Sequence, residues 1–304
     1  MCDKKYVIYK NDLKNKNISN INFNNVDWEQ NDIKNLIKTN FDTLEYRLNE
    51  NEKNMLDLNN IKLSIIPESI KNNLYYNNLL HLFISNNNLK NDIDFSNFKV
   101  LETLDIDNNF INNIILPKSL KELSANNNKL IKLECNKNLL RLRCTNNLLE
   151  TINLSNIIEL LEINNNKIKY LDLSNFKNID RLIIHDNPLI KLVLTPKLLY
   201  IDLSNTQIDE LIYNKNNILD YKINHLVCNN CTNLTNIPQF KYIEFLEIIG
   251  SPVEKLYFYK DFKLIILQIN LTKNISKKYK DNNANINIRN NILLTISSNE
   301  FIVN

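Results

Sequence analysis

A pattern of apolar residues repeats about every 20 residues along most of this chain. In the typical unit, apolar residues occupy the first, fourth and sixth positions, an asparagine the ninth and an apolar residue the eleventh. The units begin at Leu79, Leu101, Leu120, Leu139, Ile158, Ile179, Leu198, Ile223, Ile243, Leu264 and Asn283. Because a unit this short cannot bury its apolar face alone, the pattern predicts a solenoid in which neighbouring units cover one another.

The ninth position forms a column of asparagines. Its members are Asn87, Asn109, Asn128, Asn147, Asn166, Asn187 and Asn291, with Thr206, Cys231, Ser251 and Thr272 in the units between. We expect these side chains to point inward at the turn after each strand. There they would hydrogen-bond backbone groups that the irregular turn leaves unpaired, which leucine cannot do.

A second pair of alternating apolar residues follows the turn in most units. The pairs are Ile114/Leu116, Leu133/Cys135, Ile152/Leu154, Leu171/Leu173, Leu192/Leu194, Leu211/Tyr213 and Leu256/Phe258. A unit of about 20 residues holds two short extended segments but no helix of ordinary length between them. We therefore predict strands on both faces. Curvature should be low, because strands stack about 4.8 Å apart whereas packed helices need about 8 to 10 Å.

Units such as LRCTNNLLETINLSN and LEINNNKIKYLDLSN resemble the leucine-rich repeat family in its short class. The resemblance covers about residues 79 to 300 and degenerates after Thr272, and MLDLNNIKL at 55–63 indicates one further unit. It implies a β-rich repeat solenoid of about 11 to 12 short rungs. It also implies an extended face that is used for binding.

The ends of a solenoid need cover because the terminal rungs expose core. Residues 1–52 are the candidate N-terminal cap, and the solenoid takes residues 53–304. A capping box at Asp27, followed by apolar residues at helical spacing, predicts one or two helices between about residues 28 and 49. We favour a packing cap over a separate recognition module. The last, degenerate rung around Asn291 is expected to act as its own lid.

Composition argues against several function classes. The single glycine excludes phosphate-cradling loops, which need several glycines. The 37 basic and 34 acidic residues nearly balance and form no blocks, which argues against nucleic-acid binding. No apolar run approaches the roughly 18 residues that span a bilayer, and the charged N-terminal stretch lacks a secretory signal. We therefore expect a cytoplasmic or otherwise intracellular protein with no membrane contact.

No catalytic site, metal, cofactor or small-molecule substrate is expected. Cys228 and Cys231 have the spacing of half a zinc site or a redox pair, but the register places Cys228 at the core-facing sixth position and Cys231 in the asparagine column. Cys135 and Cys144 replace core leucines, so ordinary buried thiols are favoured. The three histidines fall on separate rungs: His81, His185 and His225.

The candidate binding site is the open face of the principal strands, where residues at the fifth and seventh positions point away from the core. The partner-binding candidates are Phe83, Asp105, Asp107, Arg141, Arg143, Glu162, Asn164, His185 and Asp202. This mixed chemistry suits protein recognition better than a polyanion. One alternative is an inert face on which Arg143 and Glu162 only pair with each other. Another is binding on the second face, whose outward residues include Tyr170, Tyr257 and Tyr259.

Two functions remain open from the sequence. We favour a non-enzymatic protein–protein interaction scaffold that binds an unidentified intracellular protein. The alternative is an adaptor or regulatory subunit that recruits substrates to an enzyme such as a ubiquitin ligase. The stretch LSIIPESIKNNLYYNNLL resembles the start of an F-box, but the next unit begins within about a dozen residues of Pro67 and leaves no room for that domain.

Overall fold

The computed structural model describes residues 54–60, 62–66, 78–213, 221–238, 240 and 242–253, and the backbone of 266–269. These residues form eighteen strands and no α-helix. In chain order the strands are β1 (Met55–Asp57), β2 (His81–Phe83), β3 (Lys90–Asp94), β4 (Thr103–Asp105), β5 (Phe110–Ile115), β6 (Glu122–Ser124), β7 (Lys132–Glu134), β8 (Arg141–Arg143), β9 (Thr151–Asn153), β10 (Leu160–Glu162), β11 (Tyr170–Asp172), β12 (Arg181–Ile183), β13 (Lys191–Val193), β14 (Tyr200–Asp202), β15 (Glu210–Ile212), β16 (Lys222–Val227), β17 (Tyr242–Ile248) and β18 (Ile266–Ile269). The predicted N-terminal helices, the boundary between residues 52 and 53, and the last rung around Asn291 lie outside the described residues.

The described residues divide into two compact units. The first is the described part of Met1–Leu139 with Ile152–Ser155, and the second is Leu140–Thr151 with the described part of Asn156–Asn304. In the first unit β1, β2, β4 and β6 form a parallel sheet in that order. In the second unit β8, β10, β12, β14, β16, β17 and β18 do the same. These are the principal strands of the repeat pattern, and each unit is a parallel β-solenoid. The extra unit predicted at 55–63 is present as β1.

The strand register keeps each apolar position in a column of its own. In the second unit Leu161 lies between Leu142 and Leu182, and Leu182 lies beside Ile201. All four side chains are fully buried. Successive residues of a strand point to opposite sides, so this register turns the fourth and sixth positions inward. It turns the third, fifth and seventh positions outward, onto the open face.

Strands also form on the opposite side of the coils, as the second apolar pairs predict. In the first unit β3 pairs with β5, and in the second β11, β13 and β15 form a parallel sheet. The central residues of that sheet, Leu171, Leu192 and Leu211, are in register and buried. The prediction of a β-rich solenoid with strands on both faces is therefore confirmed for the described residues.

The turn after each principal strand contains a residue in the left-handed conformation at the eighth position of the unit. These residues have φ between 52° and 62° and are Asn60, Asn86, Asn108, Asn127, Asn146, Asn165, Asp186, Asn205 and Asn230. Asparagine tolerates this region better than other residues with a Cβ atom. Asparagine serves at eight of these nine turns and aspartate at the ninth, where glycine is common in other proteins, so the chain makes tight turns with almost no glycine. The one glycine, Gly250, occupies the same position with φ 73°.

The ninth-position asparagines connect neighbouring coils. Asn166 is 8% exposed, and its Oδ1 accepts a hydrogen bond from the amide of Leu149 at 2.9 Å. Its Nδ2 donates to the carbonyl of Cys144 in the preceding coil at 2.9 Å and to that of Ile163 in its own coil at 3.0 Å. The same three kinds of contact recur at Asn87, Asn109, Asn128 and Asn187. Asn147 donates to carbonyls of its own coil.

Smaller side chains in this column make part of the same set of contacts. The Thr206 hydroxyl donates to the carbonyl of Leu203 at 2.8 Å, and the Cys231 thiol donates to the same carbonyl at 3.2 Å. The Ser251 hydroxyl accepts from the amide of Cys231 at 2.8 Å. Backbone groups at these turns are thus bonded by side chains with fewer polar atoms than asparagine has.

Candidate functional site

The partner-binding candidates lie on the open face and are divided between the two units. Phe83, Asp105 and Asp107 belong to the first unit, and Arg141, Arg143, Glu162, Asn164, His185 and Asp202 belong to the second. All nine are exposed or half-buried, as strand alternation requires. The register places Arg141 beside Leu160 and Arg143 beside Glu162. Arg141 therefore occupies the third position of its unit and not the fifth or seventh, to which the sequence analysis assigned it.

Carboxylates dominate the candidates of the first unit. Asp107 accepts hydrogen bonds from the Ser124 hydroxyl at 2.8 Å and from the amide of Asn126 at 2.7 Å. Asp105 accepts one from the amide of Asp107 at 3.0 Å. Burial raises the pKa of Asp105, and the negative charges of Asp107 and Asp57 raise it further. This face of the first unit is therefore negative where Asp105 and Asp107 lie.

Charged side chains link three strands on the open face of the second unit. Arg143 Nε lies 3.1 Å from one carboxylate oxygen of Glu162, and Arg181 Nε lies 3.5 Å from the other. Arg141 pairs with Glu159 at 3.5 Å. The pairing of Arg143 with Glu162 was anticipated as an inert use of this face. Such exposed pairs contribute at most about 1 kcal/mol each to folding, so their main effect is to hold the side chains in place.

Aromatic side chains continue from Arg181 across the next strands. The guanidinium carbon of Arg181 lies 4.6 Å from the ring centre of Tyr200. The Tyr200 and His225 ring centres are 5.6 Å apart, and those of His225 and Phe245 are 5.4 Å apart, both pairs edge to face. The four residues lie on β12, β14, β16 and β17, and register places each of them at the third position of its repeat unit. We call Arg181, Tyr200, His225 and Phe245 the stacked row.

The stacked row was missed by the sequence prediction, which was restricted to the fifth and seventh positions. The third position has the same alternation and so points to the same side of the strand. The stacked row could have been predicted by extending the alternation of the fifth and seventh positions back to the third position of each aligned unit.

Two carboxylates lie beside the stacked row at the fifth position. Asp202 and Glu247 stand on either side of Val227 across β14, β16 and β17. Burial raises the pKa of the Tyr200 hydroxyl, and the negative charge of Asp202 adds to this effect. We call Asp202 and Glu247 the acidic flank.

The cysteine pair is buried within the repeat. Cys228 and Cys231 are both fully buried, at the sixth and ninth positions as the register predicts. Burial raises the pKa of Cys228. A hydrogen bond with Cys228 lowers the pKa of Cys231 to about 7, although burial opposes that shift. Among the described residues no group of three or more histidine, cysteine and acidic side chains could hold a metal ion.

A groove of about 430 Å³ opens on the second face of the first unit. It is lined by Asp92, Asn113, Ile114, Ile115, Leu116, Lys132, Glu134, Cys135 and Asn136. Cys135 is only half-buried, so the expectation of a core thiol was wrong for this residue. In the apolar pair Leu133/Cys135, the second residue therefore borders the groove and does not lie in the core. Burial, with the charge of Glu134, still raises the pKa of Cys135 to about 12, which leaves little thiolate at neutral pH.

The second face of the second unit presents one of the three tyrosines predicted there. Tyr170 on β11 is 55% exposed, and its hydroxyl lies 3.5 Å from a carboxylate oxygen of Asp172. Tyr257 and Tyr259 lie outside the described residues. Tyr170 forms no ring stack with another described residue, in contrast to the aromatic side chains of the stacked row.

No protein-family model matches the sequence, and no curated protein matches it. Among solved structures, the chain is similar to YopM, a leucine-rich effector protein from Yersinia pestis, with 20% identity and a TM-score of 0.51. That alignment covers 78% of this chain and 78% of the YopM chain. The chain has the leucine-rich repeat fold.

Other leucine-rich repeat structures align less closely. The leucine-rich repeat protein LIC12759 from Leptospira interrogans is 22% identical, with a TM-score of 0.42 over 71% of this chain and 66% of that one. The leucine-rich repeat domain of LRIM1 is 18% identical, with a TM-score of 0.47 over 69% of this chain. The chain spans 65% of that LRIM1 domain and 44% of the chain matched in the LRIM1/APL1C complex.

In this leucine-rich repeat chain the open face combines a stacked aromatic row with arginines and carboxylates, all on short strands that the core holds in register. None of the described residues forms a helix long and apolar enough to cross a bilayer. On the open face of the first unit, the Thr103 hydroxyl lies 3.0 Å from Nδ1 of His81, the residue beside it in register.

Proposed function

We propose that this leucine-rich repeat chain is a non-enzymatic scaffold that binds a protein partner through the open face of its principal strands. The observation that carries the proposal is the stacked row of the second unit. Aromatic and arginine side chains are the ones that most often dominate the energy of protein interfaces. Because stacking already fixes the side chains of this row, binding would cost little further side-chain entropy.

The surroundings of the stacked row also support a protein partner. Polar residues at the seventh position, including Asn164 and His185, border the charged and aromatic side chains. The Asn164 side chain accepts a hydrogen bond from the Thr145 hydroxyl at 2.7 Å, so it too is held in place. An interface with central anchors and a polar rim has this arrangement. Charges at such a rim mainly affect the association rate and the choice of partner.

The proposal is tested by affinity capture with the full chain from a lysate of the organism that encodes it. The open-face variant carries Arg143→Glu and Tyr200→Ala. A matched second-face variant carries Lys191→Glu and Tyr170→Ala, which make the same change of charge and remove the same ring from exposed positions of β13 and β11. Proteins recovered by each chain are then compared by quantitative mass spectrometry.

We expect a partner that the wild type and the second-face variant retain and that the open-face variant loses. After purification of that partner, the open-face variant should bind it at least about tenfold more weakly, since loss of one interface anchor costs about 2 kcal/mol. Loss of the partner only with the second-face variant, or equal recovery with all three chains, would contradict the proposal. Melting temperatures of both variants establish that they are folded.

A further inference from the structure

We infer that the open face of the second unit binds a lysine- or arginine-bearing segment of the partner protein, at the stacked row and the acidic flank. This inference rests on the function proposed above and adds the chemistry of the partner. It follows from two independent features, the pairing of charges on this face and the row of rings beside the acidic flank.

The first feature is a difference in how the carboxylates of this face are paired. Glu162 is held by two arginines, and Glu159 by a third. Asp202 and Glu247 form no ion pair with any described residue, and among those residues the Asp202 carboxylate accepts a hydrogen bond only from the amide of Ser204, at 3.0 Å. The negative charge of the acidic flank is therefore not neutralised within the described part of the unit. A cationic side chain from a partner would complement it.

The second feature is the row of rings beside these carboxylates. A cation over an aromatic face is attracted by the electrons of the ring, with arginine and lysine as the usual partners. The unit already contains one such contact, the Arg181 guanidinium over Tyr200. The rings of His225 and Phe245 lie further along the same row, next to Val227 and Glu247 of the fifth position. A bound lysine or arginine could thus contact a ring and a carboxylate together.

The spacing of the flank indicates how the basic residues would be arranged. Asp202 and Glu247 are two strands apart, which corresponds to about 10 Å along the sheet. In a polyproline II segment, residues i and i+3 lie on the same side and about 9.3 Å apart. An extended partner segment with a basic residue at every third position therefore matches the two carboxylates.

A nucleic-acid strand would also stack on aromatic rings, but this face does not favour it. The acidic flank would repel phosphate groups, and two of the nearby arginines already pair with Glu162. A basic peptide makes use of both the rings and the carboxylates. The nucleic acid is therefore an outcome to be tested against the peptide.

The test measures fluorescence anisotropy with the full chain and a labelled peptide, Gly-Lys-Pro-Pro-Lys-Pro-Pro-Lys-Gly. A second peptide replaces each lysine with norleucine, which keeps most of the side-chain length and removes the charge. The flank variant carries Asp202→Asn and Glu247→Gln. A matched control carries Glu150→Gln and Asp209→Asn, which remove two exposed carboxylates of the same unit away from the open face.

We expect the lysine peptide to bind the wild type and the control variant with equal affinity and the flank variant about tenfold more weakly. The norleucine peptide should bind the wild type at least about tenfold more weakly than the lysine peptide. The inference would be overturned if the lysine peptide did not bind, or if it bound all three proteins with equal affinity. It would also be overturned if the norleucine peptide or a ten-nucleotide thymidine strand bound the wild type more tightly than the lysine peptide does. None of these results bears on the capture experiment, so a partner lost only by its open-face variant would still support the proposed function.

Discussion

Replacing Asn166 with leucine tests the role of the asparagine column in a single residue. The two side chains have the same branched arrangement of heavy atoms, but leucine cannot accept the hydrogen bond from the Leu149 amide or donate to the carbonyls of Cys144 and Ile163. The site is buried, so water does not readily replace the lost partners.

The expected cost follows from what each backbone group retains. The Leu149 amide loses its hydrogen-bond partner, which costs about 1 to 3 kcal/mol for a buried donor. The carbonyl of Cys144 keeps a bond from Asn147, and that of Ile163 keeps one from Asn187. Each of these two losses is therefore smaller, about 0.5 kcal/mol. The sum is a destabilisation of about 2 to 4 kcal/mol.

The measurement is urea denaturation followed by circular dichroism, with hydrogen exchange of the Leu149 amide as a local readout. Asn178→Leu is the matched control, since Asn178 is exposed and its substitution should change stability by less than about 0.5 kcal/mol. Faster exchange at Leu149 should accompany the loss of stability in Asn166→Leu. Equal stability of the two variants, with unchanged exchange at Leu149, would refute the reasoning.

Four further predictions concern the turns and two titratable groups. At Asn127, with φ 54°, replacement by alanine should cost about 1 kcal/mol more than replacement by glycine in thermal denaturation, because both variants lose the hydrogen bond from Asn127 Nδ2 to Asn108 Oδ1 but only alanine is strained. Gly250→Ala should lower the melting temperature, since alanine is strained at φ 73° and its Cβ would also displace the Asn230 side chain; an unchanged value would contradict this turn geometry. Alkylation of Cys135 in the native chain should accelerate about tenfold per pH unit from pH 8 to 10, because its pKa is raised to about 12, and a plateau would count against that shift. Asp105→Asn should raise the melting temperature at pH 7, and the gain should disappear as the pH falls toward 3, because a raised pKa in the folded state means that the ionised carboxylate costs stability only at higher pH.

The principal strands were predictable because apolar and outward-facing residues alternate in the same order in successive units. Apolar residues at the fourth and sixth positions leave one register in which all of them are buried, as Leu161 and its neighbours are. The second strands followed from unit length, which excludes a helix. The asparagine column stood out because leucine would be the default at a buried position.

The left-handed turns were not predicted, for a physical reason. Asparagine at the eighth position, such as Asn165, is exposed and adjacent to the buried asparagine of the ninth, so hydrophobic periodicity does not distinguish it. The sign of φ depends on the backbone path and not on burial. A chain with one glycine nevertheless needs another residue for its tight turns, and this requirement was present in the composition.

The candidate site was only partly predictable. Pairing of Arg143 with Glu162 follows from adjacent outward positions on neighbouring strands. The stacked row depends on which side chains meet across strands. The unit starting at Leu198 is longer than its neighbours, so Tyr200 and His225 are 25 residues apart in sequence although their strands are adjacent. Contacts of this kind become visible only once the strand register is known.

Site-specific photo-crosslinking tests the central claim, binding through the open face, most directly. A benzophenone amino acid is placed at Val227, between the two residues of the acidic flank, or at Tyr170 on the second face, and the full chain is irradiated in its own cells. Our account predicts one discrete crosslinked protein from position 227, absent from position 170 and lost when Tyr200→Ala and Arg143→Glu are added. Crosslinking from position 170 alone, or the same products from both positions, would contradict it.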